Sequence, residues 1–175
     1  MTTTSNITNA PTGFDPKAQE ALLAPMIQKS LDEAKRLGAT AAEAGVSVET
    51  GLSVTARLGD VETVEHHRSR GFGLTVYFGQ RKGSASTSDL SPEALSETVA
   101  AACRIARYAT EDPCSGLPDP ELLATEFPDL DLHHPWAIDP LKAMDLALEA
   151  ERAALAVHTD IRNSEGASLN TFEAY

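Results

Sequence analysis

Apolar positions along this chain change period twice, and the changes mark out its elements. Up to residue 37 the spacing is helical: Ile27, Leu31 and Ala34 form one stripe, and Gly38 supplies a left-handed stop. Pro25 reads as the start of the main helix, because a missing N–H costs nothing in a first turn. From 44 to 88 the period becomes two. Val46 and Val48, then Leu52, Val54, Ala56 and Leu58, alternate with polar neighbours across an expected turn at Glu49-Thr50-Gly51. Gly59-Asp60 makes the next reversal, and Val61 and Val64 lead a strand through His67. Arg70-Gly71 turns into Leu74-Thr75-Val76-Tyr77, and a last reversal near Gly79-Gln80 leads to 83–87. The pattern predicts a four-stranded antiparallel meander, whose apolar face needs a covering layer.

Helices supply that layer. Ser91 is an N-cap, Pro92 occupies the first helical position, and Leu95, Val99, Ala102 and Ala106 make a buried stripe. Asp139-Pro140 repeats the same start, followed by a stripe of Leu141, Met144, Leu148 and Leu155 in a helix ending near His158. Between Tyr108 and Lys142 there is no Lys or Arg, while eight acidic residues and six of the ten prolines fall there, the mark of an extended, solvated connector. Residues 161–175 are expected to begin another sheet, and the polar residues 1–15 a disordered tail. The fold class is therefore α+β.

Charge removes one class of function. With 14 Lys and Arg against 26 Asp and Glu, the net charge is −12, and the phosphate-neutralising surface of a nucleic-acid binder is missing. No run approaches the ~18 apolar residues needed to cross a bilayer, and the first residues have neither a basic nor an apolar signal region, so the cytoplasm is the default location. Cys103 falls in a helical pattern and Cys114 beside Pro113, and both read as reduced thiols.

Candidate chemistry is sparse. The five histidines are His66, His67, His133, His134 and His158, and none is followed by Glu. Neighbouring strand residues point to opposite faces, so His66 and His67 are poorly placed to share a metal. His133-His134 precede Pro135-Trp136, where Trp136 is expected to plug an apolar gap while the histidines cap the loop. Ser84, Ser86, Thr87 and Ser88 form a hydroxyl cluster without a neighbouring base or orienting acid. An exposed edge at these residues would offer main-chain hydrogen bonds to an added peptide strand. Gly71-x-Gly73 and Gly79-x-x-x-Gly83 lack the order of a phosphate cradle and read as turn residues, and Asn163-Ser164-Glu165-Gly166 reads as a tight turn. No catalytic, metal or substrate-binding residue is assigned within these residues.

One ordered set is more specific than any of these pieces. Arg81-Lys82-Gly83-Ser84-Ala85-Ser86 after a glycine-bounded strand, then Asp89-Leu90-Ser91-Pro92, Ile105-Ala106-Arg107-Tyr108 and Asp112-Pro113-Cys114, resembles the amino-terminal region of the PmbA/TldD peptidases, the PmbA (TldE) branch more than the TldD branch. The resemblance spans nearly everything after the first twenty or so residues and implies an amino-terminal segment of a longer protein. It divides the chain into a tail (1–15), a first α+β domain (16–112), an acidic, proline-rich connector (113–138) and the truncated start of a middle domain (139–175). It further implies a cytoplasmic hetero-oligomer with a TldD-like subunit that cleaves small or unfolded peptides, with peptide-antibiotic precursor maturation and antitoxin degradation as themes. Zinc, absent from this segment, would belong to the assembled complex, since the TldD branch carries a His-Glu-x-x-x-His helix not found here. An independently active peptidase with its site beyond Tyr175, and a non-enzymatic scaffold or regulator of the TldD-like subunit, stay open beside this reading. The resemblance also places the 163–166 loop toward a substrate channel.

Overall fold

A computed structural model of the protein describes residues 15–175. The expectation of a disordered tail falls on residues 1–14, outside the described residues, and on Asp15, which caps the first helix. That helix, α1 (Pro16–Arg36), already begins at Pro16, where the Asp15 carboxylate accepts from Lys17 N–H at 3.0 Å. Pro25 thus lies inside the helix rather than at its start. Pro25 and Ala21 are both exposed, so the carbonyl left without its proline partner faces water. The helix closes with Gly38 at φ +95° and paired bonds from Gly38 N to Lys35 O (3.0 Å) and Ala39 N to Ala34 O (3.1 Å), a Schellman stop.

Two long strands follow, β1 (Ala41–Arg57) and β2 (Asp60–Phe78), then β3 (Arg81–Thr87), α2 (Pro92–Tyr108), a 3₁₀ turn (Pro120–Leu122), α3 (Pro140–Leu155) and β4 (Ala167–Ala174). The sheet is antiparallel and four-stranded, in the order β3-β2-β1-β4. The expected four-stranded α+β architecture is present, but its strands are cut differently. The chain does not turn at Gly51 or at Gly71; both lie inside strands, paired with His67 and Ser47. At Gly51 the missing Cβ leaves room for the His67 ring and the Thr171 carbonyl, so this glycine answers close approach and not reversal. The fourth strand is β4, which pairs with β1 from Glu49↔Ala174 to Ala56↔Ala167 and so joins the first sheet instead of opening a second.

All three helices lie on one face of this sheet. Even-numbered β1 residues point there along its whole length. Ala42, Ala44 and Val46 join Phe72, Leu74 and Val76 of β2 against α1 and α2, whereas Leu52, Val54 and Ala56 meet α3. In α2 the anticipated stripe of Leu95, Val99, Ala102 and Ala106 is buried, and Ser91 caps the helix by accepting from Ala94 N–H. Arg107 ties α2 to the end of α1 by donating to the Leu37 carbonyl at 2.6 Å while its guanidinium lies 5.2 Å from the Phe78 ring centre. In α3 the buried line is Ala143, Ala147 and Glu151; Met144 and Leu148 flank it and Leu141 is exposed, so the helix is rotated from the expected leucine stripe. Alanines at the centre let the helix approach the sheet closely.

Gly83 does the same for α2. It lies inside β3, not in a turn, and a Cβ there would collide with the Ala102 carbonyl and the Ala106 nitrogen, both backbone. Gly83→Val is therefore expected to lower stability by ~1–3 kcal/mol through overpacking, read as an earlier midpoint in urea unfolding. The β1–β2 hairpin makes the opposite prediction. Its two-residue loop, Leu58-Gly59, has φ +52° and +86°, a type I′ turn with an exposed leucine in left-handed backbone. Leu58→Asn creates the preferred Asn-Gly pair and is expected to raise stability by ~0.5–1 kcal/mol in the same assay.

Candidate functional site

Among the described residues the other face of the sheet carries no helix, and its side chains are mostly small or polar, with Tyr77 of β2 and the exposed Phe172 of β4, opposite Gly51, as the large exceptions. Odd positions of β1 place Glu43, Gly45, Ser47 and Glu49 there, opposite Thr75, Gly73, Gly71 and Ser69 of β2. Ser84 and Ser86 of β3 continue these rows, opposite Thr75 and Gly73. Gly45, Gly71 and Gly73 leave a shallow trough bordered by Ser47, Thr75, Ser84 and Ser86. A Cβ at Gly45 or Gly73 would meet nothing within 4 Å, so packing within the described residues does not demand these glycines.

Hydroxyls on this face bond to one another across strands. Thr75 and Ser84 are 3.0 Å apart, Thr55 and Ser168 are 2.9 Å apart, and Ser53 donates to Asn170 Oδ1 at 2.6 Å. Ser84 Oγ is thus paired with a second hydroxyl and not with an imidazole, and it is not set up as a nucleophile. At one end the Tyr77 hydroxyl donates to Glu43 Oε1 at 3.0 Å; burial, then the adjacent carboxylate, raises its pKa and keeps the phenol protonated. The Cys103 thiol is likewise pushed up by burial on the helical side, and so is unreactive.

The histidines are not brought together. His66 pairs with Leu52 and His67 with Gly51, on opposite faces, as alternation along a strand requires. His133 Nε2 is 4.0 Å from Glu173, His134 Nε2 is 3.9 Å from Asp131, and His158 Nδ1 accepts from Asp160 N–H at 3.2 Å. Among the described residues no three His, Cys, Asp or Glu side chains are grouped to hold a metal, so these donors do not fit a zinc site. Trp136 does not plug a gap in the described residues. It is exposed, because the connector around it runs along the surface with neither strand nor helix to fold it inward.

One carboxylate is built into the fold in a way the sequence reading passed over. Glu151 of α3 is 2 % exposed and accepts from two successive N–H groups of the hairpin loop, Leu58 at 2.7 Å and Gly59 at 2.9 Å. Left-handed backbone at both residues turns these N–H groups to one side, an anion nest. The Gly59 bond is the main cause of a lowered Glu151 pKa, with Leu58, Ser164 and Arg57 adding to it and burial opposing. The 163–166 turn closes the same corner. Gly166, at φ +100°, donates to Ser164 Oγ at 2.8 Å, and Arg57 Nε donates to the Ser164 carbonyl at 3.3 Å. An acid on a helix line otherwise filled by alanine was the available signal for Glu151.

Fold and sequence together point to the first domain of a metallopeptidase family. Residues 42–106 match the family described as PmbA/TldA metallopeptidase domain 1. The chain is 47% identical over 155 residues to the metalloprotease PmbA of Escherichia coli O157:H7, covering 89% of this chain and 34% of that protein. A PmbA homologue of Haemophilus influenzae shows the same identity and shares. Among solved structures, a Bacteroides thetaiotaomicron protein described as a candidate modulator of DNA gyrase superposes with TM-score 0.69 at 22% identity, covering 86% of this chain and 34% of that one. TldE of Thermococcus kodakarensis gives 0.61 at 14% identity, covering 85% and 37%; at these identities the two structures speak for the fold. The chain belongs to the PmbA/TldD family, in its PmbA (TldE) branch. It spans about a third of the length of the curated relatives it matches.

The Glu151 clamp has a definite pH signature. Because its folded pKa lies below the ordinary 4.5, the stabilisation it provides is complete above that value and is lost as the pH falls through the folded pKa. Glu151→Gln is therefore expected to melt earlier than the unsubstituted protein at pH 7, with the gap closing below pH 4.5 in thermal melts across a pH series. A gap that is constant with pH would remove the ionised clamp from the account.

Proposed function

We propose that the longer protein to which these residues belong acts in the proteolysis of small or unfolded peptides, together with a metal-bearing TldD-like subunit, in the cytoplasm. Peptide-antibiotic precursor maturation and antitoxin degradation are the settings in which such a pair would work. The observation that carries this reading is the 47% identity over 155 residues to proteins named metalloprotease PmbA. Within that arrangement the present residues form a frame and not a reaction centre. Zinc in this reading is held by the partner subunit, which performs the hydrolysis.

Two structural features support a framing role. The donor side chains are scattered over both sheet faces and the connector, so no hydrolytic constellation assembles among the described residues. The sheet presents a largely polar face and ends in β3, whose outer edge has no strand beside it among the described residues, surfaces suited to main-chain contact with an extended peptide. No helix among the described residues is long and apolar enough to cross a membrane.

Zinc content and peptide hydrolysis of the full-length protein, alone and mixed with its TldD-like sister, test the proposal directly. Metal and activity are expected only in the mixture. Stoichiometric zinc and hydrolysis by this protein alone would overturn the division of labour and place a complete site elsewhere in its own chain.

A further inference from the structure

Nowhere among the described residues is the sheet four strands wide. β3 pairs with β2 only from Phe72 to Phe78, and the β1 partners of that stretch end at Val46. β4 pairs with β1 only from Glu49 to Ala56, and Tyr175 adds two 3.0 Å bonds to Val48. Between these two three-stranded stretches lies a neck at Ser47↔Gly71, where β1 and β2 have no further strand beside them among the described residues.

The helices divide at the same place. The cluster under α1 and α2 draws on β1 up to Val46 and on β2 from Phe72, whereas the cluster under α3 draws on β1 from Leu52 onward, and the two share no residue. α1 and α2 pack on each other, and α3 packs on β1, β2 and β4. Each half therefore has its own strands, its own helical cover and its own apolar core, as two small domains would.

Bending at the neck meets little resistance. A two-stranded ribbon varies in twist more than a wider sheet does, and is less stable by itself. Gly71 stands in that ribbon although its φ is not left-handed and a Cβ there would meet nothing nearer than Ser47 Oγ at 3.9 Å. Strand propensity is given up here for backbone freedom. The start of α1 bounds the motion, since Glu20 lies within electrostatic reach of the Tyr175 hydroxyl in the other half.

We infer that Ser47 and Gly71 form a hinge, about which the α3–β4 half swings against the α1–α2–β3 half. The β1–β2 ribbon bends there while its register stays paired. A few residues absorb the change in φ and ψ, and neither core has to open.

The test uses the full-length protein with spin labels on two exposed helix positions, Glu97→Cys in α2 and Glu149→Cys in α3, in a background that includes Cys114→Ser and has no other reactive cysteine. Pulsed dipolar spectroscopy then reads the distribution of separations between the halves. A broad or two-peaked distribution is expected for the unsubstituted neck, and a single narrower peak for Gly71→Val, because a β-branched residue restricts the backbone and favours the strand. Gly45→Val is the control. It changes the same kind of residue in a row that β3 already widens through Gly73 and Ser86, and is expected to leave the breadth as it was. A single narrow separation in the unsubstituted protein, whether held by α1 or by the rest of the longer chain, overturns the hinge. Breadth that survives Gly71→Val, or that Gly45→Val reduces equally, puts the motion elsewhere and overturns it too.

Discussion

The β1–β2 pairing is the constraint on which everything else depends. Its register runs from Ala41↔Tyr77 to Arg57↔Asp60 with one shift, between Thr55 and Ala56, near the hairpin tip. As long as that register holds, every even β1 position from Ala42 to Ala56 faces the helices, and two separate apolar clusters share one continuous floor. A slip by one residue would send Leu52 and Val54 to the polar face and raise Ser53 and Thr55 into the α3 contact. α1 and α2 cover one half of the floor and α3 the other, so neither half can be displaced without altering the strand that both use.

The second half has little apolar mass of its own. Its buried set is Leu52, Val54, Ala56, Ala143 and Ala147, smaller side chains than the Phe72, Leu74 and Leu95 group under α2. Glu151 offsets this by fastening α3 to the hairpin tip through two N–H groups, and β4 adds a strand whose Tyr175 exchanges two 3.0 Å bonds with Val48. Small residues bring helix and sheet close, and a charged clamp at the end of the strand pair sets how α3 is rotated. This explains why the leucine stripe of α3 is only partly used: burial follows the line that ends in Glu151, and Leu141 falls outside it.

Local signals were legible and long-range ones were not. Ser91-Pro92 and Asp139-Pro140 announced their helices because a cap and a first-turn proline act within a few residues. The two hairpins at Gly59 and Gly79 were legible for the same reason, each needing positive φ at a two-residue loop. Gly51 and Gly71 were misleading because a glycine that turns a chain and a glycine that admits a neighbour look alike in sequence; only the partner, His67 above Gly51, tells them apart. The pairing of β4 with β1 joins residues more than a hundred positions apart, and no local pattern carries that information. Pro25 shows the converse: a strong local breaker overruled by its place on the wet side of a helix already begun.

The same distinction governs the site. Ser84 and Ser86 belong to a hydroxyl cluster that lacks a base and an orienting acid in sequence, and the cross-strand pairing supplies its structural role: with Thr75 3.0 Å from Ser84, the hydroxyls form a ladder holding the sheet surface together. Glycines at 45 and 73 have the opposite character. They face each other across two central strands, where glycine is a poor strand former, and neither φ nor crowding requires them. A branched side chain at either position would strengthen the sheet and fill the trough. A face left flat at a cost in strand propensity differs from ordinary solvated surface, whereas the histidines are dispersed over both faces of the sheet and the connector.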